Sequence, residues 1–447
     1  MIDAKKMPTA LLLLMGVLIF SNCTEKKPEK TTLDCRSSKC NVIIILVDTL
    51  RADHLSCYGS KLDTSPGICQ FAEDSVLFTH MFSQSPSTKP STGSLFTSTY
   101  PSQHKCIYNE DILQDNLITL AEILRANQFE THAVNANSVL KAKFNFDQGF
   151  ASWEDLDRLS ADFVNEKVFE KLEAMASPFF LYIHYLDPHD PYMAPGSYYK
   201  FFNREYEGGV SGGLPFKLTY FKENRDELEQ LKLYYDNEIR YVDDKIAAFF
   251  SALKAQNLYD NSLIILLSDH GEMFLEHGFL HHSNGLYNEV IHVPLIIKFP
   301  NCRKRNIKVD TYVQTVDIMP TILDVLGIEV EQKLMGDSIL SILDKPDRQI
   351  LCEHLRMDEI SPQRALIFEN RKLIEDLKKE RFMLFDLKSD RYEYKDVLKK
   401  NESAHRYIDM MDSAVQRYSR HYGDIEKETT ELDENTVEQL KALGYIN

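Results

Sequence analysis

Four short apolar runs constrain this chain more than any other feature. VIIILV at 42–47, FFLYI at 179–183, LIILL at 263–267 and VPLII at 293–297 are apolar throughout, without the polar alternation of a half-exposed strand. Each is short for a helix, so each predicts a strand buried on both faces. Between them lie amphipathic stretches at 117–126 and 231–254, and another helical stretch follows at 315–326. Strands alternating with helices predict an α/β sandwich, with helices covering both faces of a central sheet.

The chain has 447 residues, enough for one large α/β domain and a smaller one. Its texture changes after about residue 345, where strand-like stretches at 365–369 and 382–387 precede a charged helical tail. This predicts a main domain over 41–344 and a small C-terminal α+β subdomain over 345–447. Residues 194–223 are rich in Gly, Pro and aromatics and predict a long surface loop beside the site. An apolar content of 43% argues against a disordered chain, and a formal charge of −17 argues against nucleic-acid binding.

The first residues predict a targeting segment. Lys5 and Lys6 precede an apolar run, Leu11 to Phe20, that is too short to span a bilayer, and Cys23 follows. Residues 1–22 resemble a bacterial lipoprotein signal, with Cys23 as the lipidated residue. An ordinary export signal, or an uncleaved anchor with Cys23 free, is the alternative. Residues 23–40 are polar and read as a tether. The expected location is the cell envelope, at the periplasm or cell surface, with membrane contact only through the N-terminal lipid. Export permits disulfides, and among the eight cysteines Cys35–Cys40 and Cys57–Cys69 are close enough in sequence to pair.

Polar residues sit at the ends of the predicted strands. Asp48 ends the first, Asp269 and His270 end another, and Asp187 and His189 follow a third. A Ser/Thr-rich turn, SPSTKPSTGSLFTSTYP, leads towards a helix. Singly, such residues are most often caps, turns or hydrogen-bonded structural groups. Together in one α/β pattern they suggest a ligand site beyond the carboxyl ends of the strands. Two carboxylates and an imidazole suit a divalent cation.

Several segments also resemble, in order, the sulfatase family of the alkaline phosphatase superfamily: IIILVDTLRADHLSCYG, LFTSTYPSQH, PFFLYIHYLDPHDPY, SDHGEMFLEHG, LYNEVIHVPLIIKFP, QTVDIMPTILDVLGI and LKALGYI. The likeness runs from about residue 41 to the C-terminus. It implies a three-layer alkaline-phosphatase-like sandwich with a large mixed, mostly parallel sheet. It implies an ester hydrolase holding one divalent metal, Mn, Zn, Ca or Mg, on Asp48, Asp269, His270 and Thr88. The family's C-x-P-S-R motif falls on Thr88-Lys89-Pro90-Ser91-Thr92, which makes Thr88 the nucleophile. Asn109 then falls near the substrate oxygens, and His189 and His282 fall where the leaving group or transferring group is contacted. Lys89 and Arg51 are further substrate-contact candidates, with a solvent-facing Lys89 and an Arg51 that braces Asp48 as their alternatives. A second metal on Asp187 and His184 is a weaker reading, because the usual second aspartate after Asp48 is Thr49.

The departures carry as much meaning. In active sulfatases a Cys or Ser at the nucleophile position is oxidised to formylglycine, and threonine, with its extra methyl, cannot become that aldehyde, so no formylglycine is expected. The motif arginine is Thr92. A sulfated threonine lacks the elimination route of the aldehyde hydrate, whereas a phosphothreonine can be attacked in line by water. The expected reaction is therefore hydrolysis of a phosphate, phosphodiester or phosphonate ester on a small-molecule, glycan or lipid substrate. The alternatives are a true sulfuric ester hydrolase without formylglycine, and an inactive surface-binding lipoprotein.

Overall fold

The 42–47 run forms the strand Asn41–Val47 (β1), buried at every position. The computed structural model describes residues 35–157, 159–213, 218–302, 305–343, 345, 348–357, 360–419 and 426–442. The leader read at 1–22, the lipidation candidate Cys23 and the tether up to residue 34 lie outside the described residues.

Val76–Phe82 (β2), Glu130–Asn135 (β3), Ser152–Asp155 (β4), Phe179–Tyr185 (β5) and Ser262–Leu267 (β6) follow in the chain. Met273–Phe274 (β7) and Leu280–His281 (β8) make a two-stranded ribbon, and His292–Lys298 (β9) and Ile307–Gln314 (β10) return to the main sheet. The eight-stranded sheet has the order β10-β2-β9-β6-β1-β5-β3-β4. β1 pairs in parallel with both β5 and β6, whereas β9 is antiparallel to β2 and β6. All four apolar runs are strands of this sheet, and three of them are its centre.

Strand periodicity sends alternate residues of β1 into two cores. Val42, Ile44 and Leu46 pack with Leu95, Phe96, Leu120, Ile318 and Ile322 on one face. Ile43, Ile45 and Val47 pack with Ile68, Val164, Ile239 and Ile246 on the other. The first face is covered by the helices Thr88–Thr97, Leu120–Ala126 and Ile318–Leu326, the second by Pro66–Glu73, Ala161–Ala174 and Arg225–Ala255. The expected 117–126 helix starts at Leu120 because Thr119 caps it: its Oγ1 accepts from Glu122 N while Glu122 Oε2 accepts from Thr119 N. The described part of the 194–223 loop lies over Arg225–Ala255, with Asn237 donating to Tyr199 O and Asn203 Oδ1.

Cys35 pairs with Cys302, and Cys57 with Cys69. The Cys35–Cys40 alternative is thereby corrected. The end of the segment read as a tether is likewise part of the folded unit: Cys35 and Cys40 are buried, and Ser37 N donates to Val325 O.

Beyond residue 345, Ile350–His354 (β11), Gln363–Phe368 (β12), Arg371–Asp376 (β13) and Arg381–Asp386 (β14) form an antiparallel meander. One face packs Leu351, Leu366, Leu373 and Leu384 against Tyr407 and Met411 of the helix Ala404–Ser419. The other packs Ile350, Cys352, Ile367 and Ile374 against Phe82, Leu286, Val290 and Ile291 of the main sheet and its loops. β11 and β13 were not expected from sequence, because β11 mixes polar residues into its apolar run and β13 (RKLIED) is half charged.

A fully buried ion pair, Lys372 Nζ to Glu393 at 2.8 Å, reinforces this docking. Lys372 also donates to Leu286 O and Asn288 Oδ1. Removing one partner of such a pair strands the other charge. Lys372→Met is expected to cost about 3–5 kcal/mol in urea denaturation. A loss under about 1 kcal/mol, the size of a surface pair, would show that the interaction does not hold the two parts together.

Candidate active site

The carboxyl ends of β1 and β6 lie side by side, so Asp48 and Asp269 meet without any long side chain having to reach. After Asp48 the chain turns at Thr49 with φ 53°, a left-handed conformation that a β-branched residue adopts only under strain. That turn aims Thr49 N at Asp269 Oδ1 (3.3 Å), which also accepts from His270 N (2.9 Å). Asp48 Oδ2 accepts from Asn137 Nδ2 (2.6 Å) and is 3.0 Å from His184 Nε2. Each carboxylate is thus fixed through one oxygen. The other oxygens, Asp48 Oδ1 and Asp269 Oδ2, are buried and have no hydrogen-bond partner.

His270 Nδ1 lies 2.9 Å from Gly271 O and so carries the proton, which leaves Nε2 with a lone pair. Nε2 stands 3.5 Å from Asp269 Oδ2, 3.8 Å from Asp48 Oδ1 and 3.1 Å from Thr88 Oγ1. Ligand atoms of Asp48, Asp269 and His270 all lie within 4.8 Å of one another. Two bare carboxylate oxygens, one imidazole lone pair and a hydroxyl in a dry pocket are a donor set that fits a divalent cation. Asp48, Asp269, His270 and Thr88 are therefore brought together as the sequence suggested.

Thr88 is the first residue of the buried helix Thr88–Thr97. Its hydroxyl sits at the positive end of the helix, where developing negative charge is favoured. The helix is pinned by Ser91, whose Oγ donates to Asp269 O (2.8 Å) and lies 2.8 Å from Ser83 Oγ. Ser283 N donates to Pro86 O, and Ser87 Oγ lies 2.6 Å from Ser283 Oγ. These contacts tie the segment before Thr88 to the loop that carries His282.

His189 and His282 stand together, with ring centroids 5.0 Å apart, and the His282 ring is 4.4 Å from that of His270. Their environments drive them in opposite directions. Burial works against a charged His189, but Asp190, 3.0 Å from Nδ1, outweighs it and lifts the imidazole to about 10. Burial, with the nearby His270 and His189, holds His282 well below its ordinary value. His282 Nδ1 is 3.3 Å from Glu272 Oε1. One imidazole is thus a proton holder and its neighbour is neutral.

Three expectations are corrected. Arg51 faces neither substrate nor Asp48: it pairs with Asp53 (2.9 Å) and Glu276 (3.1 Å) and donates to Glu272 O, so it braces the 272–276 segment. Lys89 is neither solvent-facing nor aimed at the nucleophile. Its ammonium lies over the Phe144 ring and donates to Asn109 O (2.5 Å) and Asp111 O (2.8 Å), which anchors the loop bearing Asn109. Burial lowers it to about 8. The second-metal pair does not assemble, because His184 is spent on Asp48 while Asp187 accepts from Ala161 N and shares a proton with buried Glu238.

Asn109 is buried, with Oδ1 3.3 Å from Arg356 Nη1. Arg356, Asn137, Asp190 and Glu272 escaped the sequence reading. Asn137 could have been found, since it follows β3 as Asp48 follows β1. Asp190 and Glu272 lie within motifs already singled out. Arg356 comes from the turn after β11 and has no local signal.

An open, mostly parallel sheet with a cation-type donor set and a helix-terminal hydroxyl beyond its strands is the layout of a metal-assisted hydrolase site. Residues 40–328 match the domain family described as Sulfatase, and residues 275–420 match the C-terminal domain of N-sulphoglucosamine sulphohydrolase. An ulvan-active sulfatase of Formosa agariphila is 25% identical over 389 residues, covering 78% of this chain and 73% of that protein. The phosphonate monoester hydrolase of Agrobacterium radiobacter has a similar structure, with TM-score 0.74 and 20% identity over 89% of this chain and 99% of that one. A protein solved in complex with its substrate D-glucosamine-2-N,6-O-disulfate gives TM-score 0.75 at 18% identity, covering 86% and 98%. The chain belongs to the sulfatase family, a family of ester hydrolases with a divalent metal.

The Asp187–Glu238 pair gives a pH test. Burial, and then Asp187, holds the Glu238 carboxyl well above its ordinary value, and burial lifts Asp187 to about 6. Groups with raised folded values bind more protons when folded, so their stability is full below about pH 4 and is lost as pH rises through about 6 and beyond. Wild type is expected to lose stability from about pH 4 through about pH 6, where Asp187 contributes up to about 1.4 kcal/mol per pH unit. Glu238→Gln, which keeps a donor to Asp187, is expected to flatten that slope in urea titrations. Parallel slopes for the two proteins would contradict the shared proton.

Proposed function

We propose that this sulfatase-family hydrolase uses Thr88 as a covalent nucleophile on phosphate, phosphodiester or phosphonate esters. The observation that carries the proposal is Thr88 Oγ1, 3.1 Å from His270 Nε2 among the donor atoms of Asp48 and Asp269. A divalent cation bound to these four residues, Mn, Zn, Ca or Mg, would lower the pKa of the hydroxyl and offset charge gathering on the ester oxygens. Asp48 and Asp269 hold that charge in place, and His270 offers its lone pair because Gly271 O fixes the tautomer. Thr88 gives its proton to solvent water, its oxygen attacks phosphorus and the bond to the leaving oxygen breaks. His189, kept protonated by Asp190, is the group that gives the departing alcohol its proton. The helix N-terminus and Asn109 face the remaining oxygens. Water then gives a proton to the now neutral His189 and attacks phosphorus in line, and the bond from phosphorus to Thr88 Oγ1 breaks to restore Thr88.

Sulfate remains the competing substrate, since the curated relatives are named as sulfatases. Threonine argues the other way, because sulfothreonine has no aldehyde hydrate through which to leave. Two disulfides among the described residues favour an oxidising compartment, and the lipid anchor at Cys23 is proposed from the leader sequence alone.

Nitrophenyl phosphate, bis-nitrophenyl phosphate, nitrophenyl phenylphosphonate and nitrophenyl sulfate separate the readings. Phosphorus esters are expected to turn over and the sulfate ester to react far more slowly. Thr88→Ala is expected to lower kcat at least about a thousandfold. Turnover of sulfate alone would overturn the choice of phosphorus, and an unchanged Thr88→Ala would remove the nucleophile. Dialysis against a chelator is expected to abolish turnover and lower the melting temperature, with both restored by one equivalent of the right divalent ion.

A further inference from the structure

Among the described residues a second set of ligand-type atoms converges outside the Thr88 cluster. Asp190 follows β5, Glu272 precedes β7 and His281 ends β8. One carboxylate oxygen from each of Asp190 and Glu272 and one ring nitrogen of His281 all lie within 4.8 Å of one another. The two-stranded ribbon brings two of them close: Met273 pairs with His281, and Glu272 stands next to Met273. His281 has φ 64°, and that left-handed turn breaks the alternation of the strand, so His281 and His282 both reach the carboxylates. Asp190 is 3% exposed and Glu272 is 0% exposed.

Each of the two carboxylates spends one oxygen on a histidine. Asp190 Oδ1 is 3.0 Å from His189 Nδ1, and its Oδ2 lies 3.7 Å from His281 Nδ1. Glu272 Oε1 is 3.3 Å from His282 Nδ1, whereas its Oε2 is buried and has no hydrogen-bond partner. Buried polar atoms are nearly always satisfied, so a bare carboxylate oxygen inside a group of ligand atoms calls for a cation. Asp48 and Asp269 show the same signature, one oxygen fixed by the protein and the other bare. Two ligands bound at about 2.1 Å to one ion stand at most about 4.2 Å apart, so the 3.7 Å between Asp190 and His281 fits a shared ion. Two carboxylates with an imidazole suit Zn or Mn better than Ca. Asp190 would lie between the His189 ring and the ion, with one oxygen towards each.

We infer that Asp190, Glu272 and His281 hold a second divalent ion, of the zinc or manganese class. The site shares no residue with Asp48, Thr88, Asp269 and His270, and it is not the Asp187–His184 pairing. With three protein donors against four, it fills after the first. The ion joins the loop after β5, which carries His189, to the segment entering β7 and to the end of β8, which leads into His282. It is a clamp on the two imidazoles, and its binding does not depend on the reaction at Thr88.

The full chain, stripped of metal and equilibrated with zinc buffered at about 10 µM free ion, is expected to retain two zincs per chain by elemental analysis. His281→Ala truncates a partly exposed side chain and leaves the fold intact, and it is expected to retain one. Glu272→Gln, of the same shape without the charge, is expected to retain one as well. Asp48→Asn with Asp269→Asn is expected to keep the second zinc alone, and to keep none once His281→Ala is added. In hydrogen exchange, zinc is expected to slow residues 186–192 and 280–283 of the Asp48→Asn, Asp269→Asn protein, and to leave them unchanged after His281→Ala. One zinc on wild type overturns the site, and so does a folded His281→Ala that keeps two. Exchange unmoved by zinc overturns the clamp. If two zincs bind while no ester is cleaved, the Thr88 chemistry falls and the second site stands. If phosphorus esters turn over on a protein that holds one zinc, the second site falls and the chemistry stands.

Discussion

Asp48 and Asp269 are two buried carboxylates with their free oxygens turned towards one point, and the rest of the site exists to make that arrangement tolerable. Burial and the charge of Asp48 raise Asp269, whereas Asp48, despite its burial, is drawn down to about 2 by the His184 bond and by the charge of His189. Uncompensated, such a pair costs several kcal/mol per ion. The fold supplies part of the compensation through Asn137, His184 and the Thr49 and His270 amides, each bonded to the outer oxygens. None of them touches the inner ones. A divalent cation, which this donor set fits, would complete the balance, and the strained turn at Thr49 is the backbone expression of the same demand.

The second consequence is positional. A sheet whose central strands are β6, β1 and β5 delivers three loops to one edge, so the donors, the two imidazoles and their carboxylates arrive on short tethers from rigid strands. Only Thr88 comes from elsewhere, at the head of a helix that every residue buries. Its serines bind that helix to Asp269 O and to the His282 loop, so Thr88 moves with the cluster it faces.

What the sequence disclosed follows the same division. The central strands were legible because burial on both faces leaves no polar interruption, and the residues that end them were legible as sites because polar groups there need a reason. β2, β3 and β10 were harder, for each carries residues such as His80, His132 or Asp310 in half-exposed positions. Within the site, identity alone placed the donors, but not the long cations. Arg51 and Lys89 have flexible stems, and nothing local told which carboxylate or carbonyl would capture them. The pairing of Cys35 with Cys302, across 267 residues, was equally beyond any local pattern.

The lost motif arginine shows how charge can be relocated in a fold. At Thr92 the helix carries a buried hydroxyl instead of a guanidinium, and the neighbouring Lys89 is consumed by the Asn109–Asp111 carbonyls. Positive charge returns to the site from His189 and from Arg356, and Arg356 belongs to the turn between β11 and β12. A cation on the Thr88–Thr97 helix would move with that helix. One carried by the C-terminal meander reaches Asn109 only while that meander is docked, and the docking rests on an apolar face and the buried Lys372–Glu393 pair. The same meander also grips the segment that leads into the Thr88 helix, where Glu353 N donates to Gln84 O and Gln84 Nε2 donates to Leu351 O. One docked unit therefore bears on both sides of the site, on Asn109 through Arg356 and on the approach to Thr88 through Gln84, so the two sides are coupled through its docking.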